Sequence, residues 1–394
     1  MNSRNSGRAQ RGAALIVALL VVTMVVLLGT TLSSDFLLMF RRVENQLHGE
    51  QAYAYLLGAE GLARAALLQD MAQDGNDEKV DHLGEEWAQE LRLPTDYGWV
   101  GGHIEDAQGR FNLNVLAGIP QQGTVQQRLN PLQLQFVRLL QSLPLEKPLE
   151  LNEAQALTEA IGDWIDQDDE IAGLGGAEIE YYTHADPPGR PANRDMVSPS
   201  ELMWVKGMTP EIYRLLAPLV TVWPGGLGQA GGGAPAGDDQ PGNGAQTGGG
   251  AKAGLSGRGA QAGGGARAGG GQAGGGAQTG SGTANININT APPGLLACLG
   301  DDQGTDPLSA GDIKQIVDER SQRQYFKSVE EVLGSSPSLQ NKQINLRNFG
   351  VRSNYFILNA QTEFQGRMYS LHSLIYRDDD NRSVRVIERT FGEW

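Results

Sequence analysis

The chain has one cysteine, Cys298, so no disulfide can form within it and cysteine usage says nothing about its redox compartment. Positive charge is scarce: 31 Lys and Arg stand against 46 Asp and Glu. The net charge of −15 repels nucleic-acid phosphates and anionic membrane surfaces and favours cations or basic partners. Catalytic patterns are missing too. His82, His103 and His184 show no His-x-x-x-His pair or nucleophile elbow, while His48 lies on a predicted helix and His372 in a predicted strand. Cys298 sits in the apolar run LLACL, the setting of an inert buried thiol. Large apolar residues are almost absent from Gly225 to Ala284, which holds 26 of the 54 glycines and cannot form a packed core. As a flexible coil its ends average roughly 40–46 Å apart, so its flanks can meet in one domain, and it reads as neutral expansion of a surface loop. It carries no phosphate-loop motif. Nothing here requires an enzyme.

One long hydrophobic run is present. From Ala13 to Ser34 the chain reads AALIVALLVVTMVVLLGTTLSS, 22 uncharged residues, enough to cross a ~30 Å hydrocarbon core as a helix. Arg4, Arg8 and Arg11 precede it and Asp35 follows, so the positive-inside rule keeps residues 1–12 cytoplasmic and sends the rest across. In a bacterium the bulk is then periplasmic. A cleaved secretory signal also starts basic and then apolar, but its apolar core spans only ~7–15 residues. Here helical spacing continues from Arg41 to Asp70, with Val43, Leu47, Ala54, Leu57, Gly61, Ala65 and Leu68 in one stripe. The expected element is a single helix from Ala13 to Asp70, lipid-facing in its first half and amphipathic in its second.

A short basic leader ending in Gly12, a small residue at Ala13 and an unbroken apolar helix resemble the type IV pilins and pseudopilins. The resemblance implies cleavage after Gly12 by a membrane prepilin peptidase and N-methylation of Ala13. Such pilins usually carry glutamate as the fifth mature residue; counted from Ala13, that position is Val17. Without that glutamate, and with a large body, the chain is similar to the general secretion pathway protein K family, the minor pseudopilins of type II secretion systems. That family implies a single-pass inner-membrane protein with its N-terminus in the cytoplasm. It also implies assembly with I- and J-type minor pseudopilins at the tip of a periplasmic pseudopilus, for protein export, alongside the inner-membrane secretion machinery.

Further along, Tyr97 to Leu116 alternates around Gly109 like a short hairpin. Near the end, 353–364, 367–377 and 383–391 read as an antiparallel meander, separated by Gln365-Gly366 and by Asp378 to Arg382. The fold class is α+β. With the resemblance it becomes a pilin-like transmembrane helix packed on an antiparallel sheet, interrupted by a large, mostly α-helical inserted domain. The expected divisions are a leader at 1–12, a transmembrane part at 13–34, and the periplasmic helix with first strands at 35–111. The inserted domain follows at 112–224 and 285–350, around a Gly/Ala-rich linker at 225–284, and the closing strands occupy 351–394. Two passages in the insertion are alike, FNLNVLAG from Phe111 and NININTAPPGLLACL from Asn285, each an Asn-rich extended start followed by short helices. The second resembles a helix-hairpin-helix, closing at Ser328 to Leu333.

Asp163 to Asp186 (DWIDQDDEIAGLGGAEIEYYTHAD) holds eight carboxylates and no Lys or Arg. Acids alternate at Asp166, Asp168 and Glu170; Gly173, Gly175 and Gly176 then allow the loop to fold back, and Glu178 returns a carboxylate. Hard oxygen ligands in this pattern suit Ca²⁺, although it is not an EF-hand. On spacing alone a solvated acidic loop fits as well. The family resemblance, carried by Asp163 to Asp166, Gly176 to Glu178, Asn193 and Glu201-Leu202, implies calcium in the inserted domain. The expected ligands are Asp166, Asp168, Glu170, Glu178 and Asp195.

A membrane-tethered DNA receptor of the competence type also combines an anchor, a linker and a helix-hairpin-helix. Charge speaks against it: eight acids and six bases between Asn285 and Gly350 give 6 − 8 = −2. The hairpin that should offer amides to phosphate reads GDDQGTD. No nucleic-acid partner is expected. Mass spectrometry of the N-terminal peptide should find a mature chain starting at Ala13; an intact Met1, or cleavage near Ser34, would remove the pseudopilin reading.

Overall fold

The apolar start of the chain runs into one uninterrupted helix, α1 (Gly7–Gln73), three residues beyond the expected Asp70. The computed structural model describes residues 7–73, 79–117, 129–224, 286–300, 304–335, 337–340 and 344–392. The expected linker at 225–284 lies outside them, as do residues 1–6 of the leader. All residues from Ala14 to Leu47 are exposed, and the uncharged run up to Ser34 is long and apolar enough to cross a membrane.

From Ala52 onward α1 packs on a sheet, burying Ala52, Leu56, Glu60, Ala63 and Leu67. These positions fall one above another on a helix of 3.6 residues per turn. The expected stripe from Val43 to Leu68 is exposed throughout. Glu60 accounts for the error, because a carboxylate in the middle of the buried line steers a periodicity reading onto the neighbouring stripe. Here Glu60 is paired: it accepts from Arg389 at 2.7 and 2.8 Å and from Ser373 Oγ at 2.7 Å. Burial alone would raise its carboxyl, and these bonds hold it below the usual range.

The sheet has five antiparallel strands, β1 (Leu91–Thr95), β2 (Gly98–Asp106), β3 (Tyr355–Phe364), β4 (Arg367–Asp378) and β5 (Ser383–Phe391), in that spatial order. The meander is as expected, and Gln365 and Gly366 both take positive φ (52° and 73°), as a two-residue hairpin requires. The first hairpin turns elsewhere. Its turn is Asp96-Tyr97, between β1 and β2, whereas Gly109 ends a single 3-10 turn beyond β2, packed so closely on Thr290 that a side chain would collide. Both edges resist further pairing: β1 carries Pro94, and β5 bulges at Ile387, between the Val386 and Glu388 pairings.

The chain leaves the sheet after Asp106 and returns at Tyr355 on the adjacent strand, with Asp106 opposite Phe356. The insertion therefore hangs between two paired strands. It contains α2 (Pro131–Gln141), α3 (Leu151–Ile165), α4 (Ile179–His184), α5 (Pro210–Leu216), α6 (Ala310–Arg323) and α7 (Pro337–Gln340) around one apolar core. The two similar passages build the same device twice. Phe111–Asn112 pairs in parallel with Val220–Thr221, and Ile286–Asn287 pairs in parallel with Phe349–Gly350. The last asparagine of each passage clamps one distant residue with both ends of its amide. Asn114 accepts from Met196 N at 2.8 Å and donates to Met196 O at 3.0 Å; Asn289 treats Phe326 N and O identically, at 2.8 and 3.0 Å. Arg138, buried on α2, donates to the carbonyls of Cys298 and Gly304 and ties the halves together. Cys298 lies in a 3-10 turn, Pro293–Cys298, and burial pushes its thiol up to about 12.

At the junction of insertion and sheet sits Arg377, fully buried on β4. It donates to Asp70 of α1 at 2.7 Å, to both oxygens of Asp81 at 2.7 and 2.5 Å, and to Ser353 O at 2.7 Å. Arg377→Met leaves Asp81 buried without its counter-charge and should destabilise the protein by about 3–5 kcal/mol. Lys314→Met, which removes an exposed i,i+4 pair with Asp318, should cost about 0.5 kcal/mol or less. Denaturant unfolding midpoints of the two variants check both.

Candidate metal centre

Helix α3 ends at Ile165 with no basic residue in its last turn, and Asp166, Asp168 and Asp169 follow at the negative end of the helix dipole. Carboxylates are disfavoured there, so the loop needs other support. It folds flat against α3. A side chain at Gly173, Gly175 or Gly176 would overlap Glu159, Ala156 or Asp163, three residues on one helix face, and Gly173 also has a φ of +55°. The two α3 carboxylates hold loop amides: Glu159 Oε2 accepts from Leu174 N at 3.0 Å and Gly175 N at 2.7 Å, and Asp163 accepts from Ala172 N at 3.1 Å and Ala177 N at 2.7 Å. Lys206 Nζ donates to the Gly175 and Gly176 carbonyls at 3.1 and 3.0 Å. The backbone is thus pinned by the protein's own groups.

This folding brings Asp166, Asp168 and Glu178 together, with one oxygen of each within 4.8 Å of the others. Among the described residues, buried Asp166 Oδ1 and both Glu178 carboxylate oxygens have no hydrogen-bond partner. Asn193 belongs to the same place. Its Nδ2 donates to Asp168 O at 3.2 Å, its backbone amide donates to Trp164 O at 3.0 Å, and its Oδ1 is buried with no partner among the described residues. Of the other expected ligands, Glu170 is exposed, with its amide donating to Asp168 Oδ1 at 2.9 Å, and Asp195 is exposed too; both lie outside the three-carboxylate group. The one cue to Asn193 was its place in the family resemblance, since a neutral amide is invisible to a count of acids.

Burial, then repulsion from Asp163 and Asp166, pushes the Glu178 carboxyl up to about 8. Burial, then Asp168 and Asp163, pushes Asp166 up to about 7. Asp163 is raised by burial to about 6, the loop amides partly offsetting the shift. Mutually repelling carboxylates, with buried unpartnered oxygens on Asp166 and Glu178, fit a hard divalent cation, and a set without sulfur or imidazole disfavours softer metals. A second group, Asp70, Asp81 and Glu85, is equally close. There Arg377 neutralises the two aspartates, while Glu85 accepts from Trp87 Nε1 at 2.6 Å and His82 N at 3.0 Å. That cluster supplies its own counter-charge.

Two family models described as type II secretion system protein K match residues 109–225 and 286–352. The type II secretion system protein K of Pseudomonas aeruginosa is 31% identical over 392 residues, covering 98% of this chain and 94% of that protein. The protein K of Aeromonas hydrophila is 37% identical over 220 residues, 56% of this chain and 65% of the relative, just under two thirds of its length. Among solved structures, the GspK-GspI-GspJ complex of the enterotoxigenic Escherichia coli type 2 secretion system contains a chain that superposes with a TM-score of 0.60 at 22% identity, covering 90% of this chain and all of that one. That likeness shows the fold.

Carboxyls raised in the fold bind more protons than in the unfolded chain, so they favour folding below about pH 4 and lose that contribution as pH rises through about 7 and 8. In chelator, thermal stability should fall between pH 5 and pH 8. Glu178→Gln should flatten the decline and melt several degrees above the parent at pH 8; an equal slope in both would mean the carboxylates are solvated.

Proposed function

The chain belongs to the protein K family of type II secretion systems, and we propose that it is the non-enzymatic minor pseudopilin that leads the periplasmic pseudopilus, joined to I- and J-type subunits. One observation carries the tip placement: a whole helical domain hangs between adjacent strands β2 and β3 of a pilin-like body. Subunits stacked along a shaft would collide with it, whereas the leading position leaves it free. Val17 supports the same reading. A glutamate at the fifth mature position would pair with the N-terminal amine of a subunit ahead, offsetting two charges that are costly in hydrocarbon. A leading subunit has no such amine to meet, and apolar Val17 suits it.

In this reading α1 anchors the protein in the bacterial inner membrane with its N-terminus in the cytoplasm, after prepilin peptidase cuts behind Gly12 and Ala13 is methylated. Ca²⁺ is the cation of the acidic loop, held by Asp166, Asp168 and Glu178 with the Asn193 carbonyl oxygen, and its charge relieves their repulsion. The larger, more flexible coordination of Ca²⁺ suits ligands from a turn better than the strict octahedron of Mg²⁺.

At a hundredfold excess over Kd, Ca²⁺ should stabilise by about 2.7 kcal/mol, roughly 5–10 °C in melting temperature. Asp166→Asn should abolish most of the shift and Mg²⁺ should give less; an unchanged melting temperature would refute the site. For the tip placement, a label on the inserted domain should mark one end of assembled pseudopili in electron micrographs, and regular decoration of the shaft would refute it.

A further inference from the structure

On the sheet face turned away from α1, the insertion leaves a cleft of about 260 Å³. Phe356, Leu358 and Ala360 of β3 face the helix, so by strand alternation Ile357 and Asn359 face the cleft. Ile357 and Leu374 form an apolar floor, and Val197, Pro199 and Val222 of the insertion form a wall.

Apart from Glu388, the charged groups there are already engaged. Arg110 pairs with Glu105, and Glu105 Oε1 accepts from Asn359 Nδ2 at 2.9 Å. Asn359 Oδ1 accepts from His372 Nδ1 at 2.7 Å. Glu388 differs. Its carboxylate is half-buried, and among the described residues no hydrogen bond or ion pair reaches it. Burial holds it above the usual carboxylate range. The adjacent Arg389 is committed to Glu60 on the opposite face, and Arg385 lies over the Tyr376 ring.

What the cleft lacks is one cation on an apolar stem, which is the chemistry of a lysine or arginine side chain. Its volume falls below the ~300–1,000 Å³ of small-molecule sites, and a single carboxylate is too few ligands for a metal. A chain of net charge −15 also favours basic partners. We propose that this cleft is an interaction surface that takes one lysine or arginine side chain of another protein, its stem along Ile357, Leu374, Val197 and Val222 and its charged head on Glu388. Because the floor belongs to the sheet and the wall to the insertion, that side chain touches both parts of the molecule at once.

The test uses the full-length chain in cells whose own copy is deleted. Export lost on deletion and restored by the wild-type chain is the baseline, which tests the assembly role separately. Glu388→Lys should reduce export at least tenfold and Glu388→Gln several-fold, both at wild-type abundance and melting temperature. A Lys→Glu or Arg→Glu substitution in a partner protein should restore export to Glu388→Lys. Wild-type export by Glu388→Lys would overturn the proposal. So would restoring changes found only within this chain, or a fall in melting temperature in both variants matching their export loss, which would make Glu388 an internal structural group.

Discussion

The buried guanidinium of Arg377 joins the end of the long apolar helix to the sheet and to the returning chain. It bonds the end of α1 through Asp70, the following segment through Asp81, and the returning chain through Ser353 O. The network then passes into the insertion. Asp81 accepts from Ser353 N at 2.7 Å, and Asp106 at the end of β2 accepts from Ser353 Oγ and Thr290 Oγ at 2.6 Å and from Asn287 Nδ2 at 2.9 Å. Burial pushes the Asp106 carboxyl up to about 6 despite these bonds. A buried network of this kind is stabilising when its members are satisfied and costly when one is removed. It ties the insertion to the sheet through groups contributed by both.

The acidic loop divides its carboxylates between two duties. Glu159 and Asp163 accept loop amides and shape the backbone, while Asp166, Asp168 and Glu178 are held close without donors enough to satisfy them. The protein's own bonds assemble the repulsion, which a bound cation would relieve. This separates shape from charge: the carboxylates that fix the loop's course are not the ones left to repel each other. Perturbed carboxyls of this type gather where a protein has a use for them.

The insertion was legible in part because it repeats. Two Asn-x-Asn starts in the sequence become two clamps on Met196 and Phe326, and the closing strands were legible because alternation with period two survives in them. The helix face was not. Periodicity assumes that charges point outward, and Glu60 points inward because Arg389, more than three hundred residues later, meets it there. Gly109 misled for a related reason, since its small size serves close packing on Thr290 and not a turn.

Local chemistry alone therefore determined the long apolar helix, the meander and the acidic loop. Each is a signal of hydrophobicity, period or charge carried by neighbouring residues. Tertiary structure decided the rest: which face of α1 is buried, which three carboxylates converge, that Asn193 joins them, and that Arg377 joins the parts. Those outcomes depend on partners far apart in the chain, and a buried charge acquires its meaning from whatever the fold places beside it.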